Sequence, residues 1–489
     1  MRAWIIAVAL CVLNIVSLAQ GEPFRDGEVV CFLGDSITKG GDYHGDIRLF
    51  YATRFPDRRI RFYNCGVGGD RAESIVRNAK FRIESDVLAW KPTTVSVMLG
   101  MNDVGRKLYG DKIQELEKDS KRWQGFAADY CGRLGLTKVP PSVKAAREAC
   151  LELYSEKMAA IISQLKGTGA RVILMTPSIY DETAVITKGH GEVLTGVNGG
   201  LGRCAEKVRQ FSKDYQAGLV ETYGLMNEIN HREQANNPSF SLVGAGKNWN
   251  DRVHPGPVGH FVMAYAFLKS QGLSPYVSRI EVDAALGVAT GLVNCTVTGL
   301  KRDGSGLGFD CREGALPFVP PPKAKEALGL VPFTEELNQQ LLLVRGLEKG
   351  AYELKIDGEV IGRYSADDLR VGVNLASVTN TPQYRQSATA TGIAAQIHEI
   401  GEELREIATF KYGFSSRGGD PSNPEAVKKA VLESVEKAQA GGKRLPPYLK
   451  SQRDCVIEPG KLEARREALE GGLQAACQPK VHHFDIISK

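Results

Sequence analysis

The chain has 489 residues, 43% hydrophobic and 24% charged, a globular composition and more length than one compact core usually supports. Its formal net charge of +5 is small and not gathered into one run, which argues against nucleic acid as the main partner. Beyond the N-terminus no segment is apolar enough to span a bilayer, which argues against stable membrane insertion.

The first residues read as an export signal. "MRAW" supplies a positive start, "IIAVALCVLNIV" is an apolar stretch shorter than the roughly 20 residues of a membrane span, and "SLAQ" places Ser17 and Ala19 at small-residue positions. Cleavage after Ala19 makes residues 1–19 a signal peptide and the mature chain secreted or periplasmic. That removes Cys11 and leaves the other cysteines in an oxidising compartment. Cys131 with Cys150, Cys295 with Cys311, and Cys455 with Cys477 lie close enough in sequence to be expected as disulfides. Cys31 and Cys65, ending apolar runs, read as buried free thiols, and Cys204 has no evident mate. None has the spacing of a metal site, so no metal and no cofactor are expected.

From residue 28 to about 224 the pattern alternates. Short, near-continuous apolar runs occur at "EVVCFLG", "RIRFYNCG", "TTVSVMLG", "ARVILMTP" and "GLVETYG", as strands buried on both faces should look. Helix-like stretches lie between them: "GDIRLFYATRF", "RAESIVRNAKFRIESDVLAW", "CLELYSEKMAAIISQLKGTG" and "GRCAEKVRQFSKDYQA". Strand–helix alternation predicts an α/β fold, a parallel sheet with helices on both faces that binds ligands beyond the carboxyl ends of its strands. Three polar, glycine-containing loops fall at that edge: "GDS" at 34–36, "NCGVGGD" at 64–70 and "GMND" at 100–103. Residues 104–147 interrupt the alternation with a charged, helical insertion that either roofs the site or decorates it.

"NDRVHPG" then places Asp251 three residues before His254, within reach of the ring in a loop, and "PGPVGHFVMAYAF" suits entry into a helix. Ester hydrolysis needs a nucleophile, a base, a group that orients the base, and donors for the oxyanion. Ser36, His254 and Asp251 fit the first three roles. The Ser36 and Gly69 amides and the Asn102 side chain fit the last. Each element alone has a bland reading as a turn or cap; together they have the right order and the same sheet edge. Asp35, His44 and Asp103 are candidate substrate contacts, with Asp35 equally readable as a hydrogen-bonding scaffold. His190 and His231 fall in loops of the 180–250 region as further candidates for substrate contact, whereas His260 packs or faces solvent.

After residue 275 the character changes. Residues 276–384 are rich in glycine and β-branched residues, with strands joined by tight turns at "KG" and "DG", and predict a β-rich accessory region. Residues 385–489 predict a mainly helical region whose charge runs read as solvated faces. His482 and His483 lack the neighbours of a metal site.

"GDSITKG", "NCGVGGD", "GMND" and "DRVH" resemble the four blocks of the SGNH hydrolases, or GDSL esterases. The resemblance covers residues 26–275 and looks closest to secreted bacterial carbohydrate acetylesterases. It implies a three-layer α/β/α sandwich with a five-stranded parallel sheet, flavodoxin-like in order. It also implies a catalytic Ser36–His254–Asp251 set and an oxyanion hole of Ser36, Gly69 and Asn102. The function it implies is ester hydrolysis, of acetyl groups on a carbohydrate, with an ester-bearing small molecule or polysaccharide as partner. The alternatives are a silent glycan-binding protein on the same core, an acyltransferase or a lipid esterase.

Overall fold

The computed structural model describes residues 22–185, 193–244, 251–303, 306–440 and 444–489. The expected signal peptide, Cys11 and His190 lie outside the described residues. Strands β1 (Val29–Gly34), β2 (Arg61–Gly66), β3 (Thr94–Met98), β4 (Arg171–Met175) and β5 (Gly218–Val220) form a parallel sheet in the order β2-β1-β3-β4-β5. All of β1 is buried, as a strand covered on both faces must be. Its side chains alternate between two cores. Val30 and Phe32 pack with Phe50 and Phe267 on one face, and Cys31 and Leu33 pack with Met158 and Ile162 on the other. The sandwich and its strand order are those expected.

The stretch 71–90, expected as one helix, is broken into a helix at Ala72–Arg77, a π-helical turn at Lys80–Ser85 and a 3-10 turn at Leu88–Trp90. The break delivers Arg82 into the interior, where its guanidinium bonds Asp70, Asp86 and the Cys65 carbonyl. The insertion is helical at Asp111–Glu117 and Ser120–Leu134. It extends the main core, burying Trp123, Ala127, Cys131 and Leu134 beside Val143 and Cys150.

Among the described residues nine further strands build the accessory region: β6 (Tyr276–Asp283), β7 (Val288–Val293), β8 (Cys295–Asp303), β9 (Gly306–Glu313), β10 (Gln339–Arg345), β11 (Ala351–Ile356), β12 (Glu359–Ser365), β13 (Val373–Asn374) and β14 (Val481–Ser488). They form two sheets, β13-β10-β6-β7 and β12-β11-β14-β9-β8, around a core that includes Val282, Val344, Phe309, Leu354 and Phe484. The "DG" turn between β11 and β12 has left-handed φ of 52° at Asp357 and 81° at Gly358, the conformation a tight hairpin requires. Strand β14 has no counterpart in the sequence reading: the last residues leave the helical region and insert between β9 and β11.

Among the described residues the C-terminal region holds the helices Pro382–Ser416, Pro424–Ala440, Pro447–Ile457 and Lys461–Ala476. The first lies against the hydrolase fold. Arg405 donates to the Gly66 carbonyl at the end of β2 and makes two bonds of 2.6 Å to Asp86. With Arg82 and Asp70 this forms a buried alternation of charge behind the loop that follows β2.

The expected disulfides are not formed: all nine described cysteines are free thiols. Cys295 on β8 donates its thiol to the Arg279 carbonyl at 3.2 Å, Cys311 lies on the neighbouring β9, and Cys131 and Cys150 share an apolar core. Cys477 lies in the main core, while Cys455 sits on the helix Pro447–Ile457. Closeness in sequence does not supply the Cβ geometry a disulfide needs. Burial pushes the Cys150 thiol up to about 12.

Candidate active site

The site is built at the carboxyl edge of β1, β2 and β3. Gly34 closes β1 where a Cβ would lie 2.2 Å from Thr38 Oγ1 and 2.7 Å from the Met98 carbonyl oxygen, so only glycine lets the chain leave the sheet there. Asp35 then caps the helix Ser36–Gly40, accepting from the Ile37 N–H at 2.9 Å. This puts Ser36 on the first helical residue, beyond the strand end.

The other half comes from the loop before the helix Pro257–Ser270. Asp251 Oδ1 accepts from the Val253 and His254 N–H groups at 3.0 and 3.1 Å. Arg252, at a left-handed φ of 61°, donates to the Asp181 and Ala184 carbonyls and fixes the loop from the far side. Pro257 sets the helix start. The loop thereby aims His254 at the serine: Nε2 lies 2.8 Å from Ser36 Oγ, and Nδ1 lies 2.5 Å from Asp251 Oδ2. Burial works against ionisation of Asp251, but hydrogen bonds from the His254 ring and from backbone N–H groups outweigh it and hold the carboxyl below its ordinary value.

Next to this relay are unspent donors. The Ser36 and Gly69 N–H groups make no hydrogen bond among the described residues. Gly69 adopts a φ of 81°, and a Cβ on its neighbour Gly68 would sit 4.0 Å from the Ser36 Cβ, so the loop after β2 passes beside the serine. Asn102 Nδ2 donates to the Asp70 carbonyl at 3.1 Å and, at 3.4 Å, to Asp35 Oδ2, tying the three loops together.

The three candidate substrate contacts are corrected: none lines the cleft that holds Ser36. Asp35 is buried and spent on the helix cap, and burial pushes its carboxyl up to about 6. His44 is turned inward by the helix Asp42–Arg54, stacks on Phe32 and engages the Thr38 carbonyl, and burial holds its ring well below its ordinary value. Asp103 accepts from the Ala72 N–H at 2.7 Å, supporting the helix Ala72–Arg77, and burial pushes it up to about 7. His231 lies exposed on the helix Thr222–Gln234 rather than in a loop. His260 packs against Tyr43 and borders the cleft. His482 and His483, on β14, engage Asp357 of the β11–β12 turn and Asp310 of β9.

The cleft has a volume of about 860 Å³. Ser36, Gly68 and His254 form one wall, and the opposite wall comes from the helices Pro382–Ser416 and Pro447–Ile457, with Glu403 and Tyr448 among its residues. The insertion contributes none of the lining. Sequence reasoning missed this wall because glutamates spaced along a charged helix look the same whether they face solvent or a cleft.

Such an edge, on such a sheet, is that of a carboxylic ester hydrolase. Residues 30–267 match the model of the GDSL-like lipases/acylhydrolases. The solved structure of a gut microbial diltiazem-metabolizing enzyme is 30% identical, with a TM-score of 0.77 over 96% of this chain and all of that one. An acetylxylan esterase of Geobacillus stearothermophilus is 26% identical over 268 residues, 52% of this chain and 98% of that protein. The chain belongs to the GDSL-like lipase/acylhydrolase family, and within it to the SGNH hydrolases.

Proposed function

We propose that the protein is an exported serine esterase that removes acetyl groups from carbohydrate hydroxyls through an acyl-enzyme. The observation that carries the chemistry is the unbroken relay from Ser36 Oγ through the His254 ring to Asp251. Ser36 Oγ attacks the ester carbonyl carbon while His254 Nε2 takes its proton, and Asp251 stabilises the imidazolium through Nδ1. The carbonyl oxygen gains the electron pair and accepts from the Ser36 and Gly69 N–H groups and from Asn102, whose long contact to Asp35 is the easier to exchange. Collapse expels the alcohol, which leaves with the proton from His254. Water, deprotonated by the same ring, then releases acetate and restores Ser36.

Acetyl transfer from a sugar to water is favoured by the acetylxylan esterase relative, and export by the signal-like residues 1–19. A small-molecule ester is the second reading, favoured by the whole-chain likeness to the diltiazem-metabolizing enzyme. Ser36→Ala tests the chemistry: turnover of a chromogenic acetate ester should fall on the order of 10⁵-fold while the thermal transition is kept. Retained turnover ends the proposal. Acetate release across acetylated polysaccharides and small acetate esters separates the two substrate readings.

A further inference from the structure

The wall facing Ser36 carries an excess of negative charge. Glu399, Glu402, Glu403 and Glu406 line the cleft from the helix Pro382–Ser416. Their spacing of three, four and seven residues puts them on one face. Glu406 is paired with Lys39, 2.8 Å away on the serine's own helix. Glu402 lies 3.8 Å from His398 Nε2, but that nitrogen sits nearer, at 3.2 Å, to Asp42. Among the described residues Glu399 and Glu403 make no ion pair.

A second, independent feature lies beside it. A recess of about 550 Å³ shares Gly40, Glu399 and Glu402 with the cleft and continues from it to Asp42 and Asp46. Asp42 is satisfied by Lys323 at 2.7 Å. Asp46 borders the recess, is only 6% exposed, and makes no side-chain hydrogen bond among the described residues. Burial holds the Asp46 carboxyl well above its ordinary range, and from the edge of the recess it offers a hydrogen-bonding group to a ligand that enters from outside the chain.

The geometry points to an organic cation rather than a metal ion. Glu399 and Glu406 stand about 10 Å apart along the helix axis at the usual rise, and no group of three or more ligating side chains is gathered to hold a metal among the described residues. Tyr448, half exposed on the neighbouring helix Pro447–Ile457 of the same wall, adds a ring face of the kind that attracts ammonium groups. We propose that this wall makes the esterase selective for esters whose alcohol part carries a protonated or quaternary amine, ranking cationic above neutral above anionic alcohols. The inference rests on the ester-hydrolase reading above. A carboxylate-bearing alcohol, such as a uronate, enters a cleft whose wall carries the same sign of charge.

The test uses the full-length enzyme and three acetate esters of similar shape: acetylcholine, its neutral carbon isostere 3,3-dimethylbutyl acetate, and 3-acetoxypropionate. At low ionic strength kcat/KM should be at least tenfold higher for the first than for the second, and at least tenfold lower for the third. The spread should narrow in 0.5 M salt as screening sets in. In Glu399→Gln/Glu403→Gln the ratio of cationic to neutral kcat/KM should fall to within threefold. Equal turnover of the cationic and neutral esters by the wild type, or a ratio untouched by the double substitution, overturns the inference while leaving the esterase reading intact. No turnover of any of the three, with Ser36 unreactive to a fluorophosphonate, overturns both. If the double variant does not fold, the wild-type ratio and its salt dependence decide alone.

Discussion

Two of the regions added to the five-stranded fold, the 104–147 insertion and the C-terminal helices, serve it in different ways. The 104–147 insertion starts one residue after Asp103 and is spent on the core. Trp123 is 2% exposed, and the region meets the loops of the site at their margins, through the long contact of Arg106 with Asn102 Oδ1 at 3.5 Å and through the Arg133 carbonyl, which accepts from Arg71 at 2.7 Å. The C-terminal helices keep a small core of their own around Val427, Val431, Val435 and Leu449. They reach back across 339 positions to bond the Gly66 carbonyl through Arg405, and they supply the wall opposite Ser36. The segment next to the site in sequence therefore stabilises, and the distant one shapes the cleft. The same contrast applies to charge: the chain is formally +5, while the helix face that meets the nucleophile is acidic.

Arg405→Ala should give the largest effect after loss of the serine itself. It leaves Asp86 buried with less compensation, which costs about 3–5 kcal/mol in denaturant unfolding. It also frees the end of β2, from which the Gly68–Gly69 loop continues, so kcat should fall under conditions where the variant is still folded. Trp123→Ala is the matched experiment on the insertion. Its cavity costs a similar ~3–5 kcal/mol, yet kcat for a small acetate ester should stay within about twofold. Equal losses of kcat in the two variants would break the contrast.

What the sequence revealed follows the same division. Strands buried on both faces appear as apolar runs, and the loops at their ends carry Ser36, Gly69 and Asn102, so the sheet and its chemical edge were legible. Asp251 and His254 were legible because three residues of loop bring a carboxylate to an imidazole nitrogen. His44 was misassigned because nearness to the nucleophile in sequence does not reveal that a helix turns its ring inward. Arg405, Glu399 and Glu403 sit in one charged run, and nothing in that run distinguishes a buried anchor from a cleft lining or a solvated face. Only packing separates them. Strand β14 follows the helix Lys461–Ala476 closely, and its partners lie more than a hundred residues upstream, so no local turn announced it.

A smaller effect should come from Asp103, where the β3 loop meets the insertion. Burial raises its carboxyl to about 7, whereas an unfolded aspartate titrates near ~4. Between those values the unfolded chain gives up the proton first. The stability contributed by the protonated form is therefore fully present below pH ~4 and is lost as pH rises through about 7. Asp103→Asn keeps the oxygen that accepts from the Ala72 N–H but has no proton to release. Its unfolding free energy should decline less than that of the wild type between pH 5 and 8, by a difference on the order of 2 kcal/mol. Identical declines would mean that the carboxyl is ionised in the folded state throughout, and that the insertion side holds a charge there.

The smallest effect falls on the opposite wall and asks whether it touches substrate at all. Tyr448 is 49% exposed on the helix Pro447–Ile457, so its truncation removes little packing and should leave the thermal transition in place. A ring face against a cationic group at an exposed site is worth about 0.5–1 kcal/mol. Tyr448→Ala should accordingly raise KM for a cationic ester two- to fivefold, move kcat less than KM, and be rescued by Tyr448→Phe, which keeps the ring. A KM that is unchanged for every ester would reduce the C-terminal helices to an anchor for the β2 loop, and the charge of the cleft would then act on approach rather than in the bound complex.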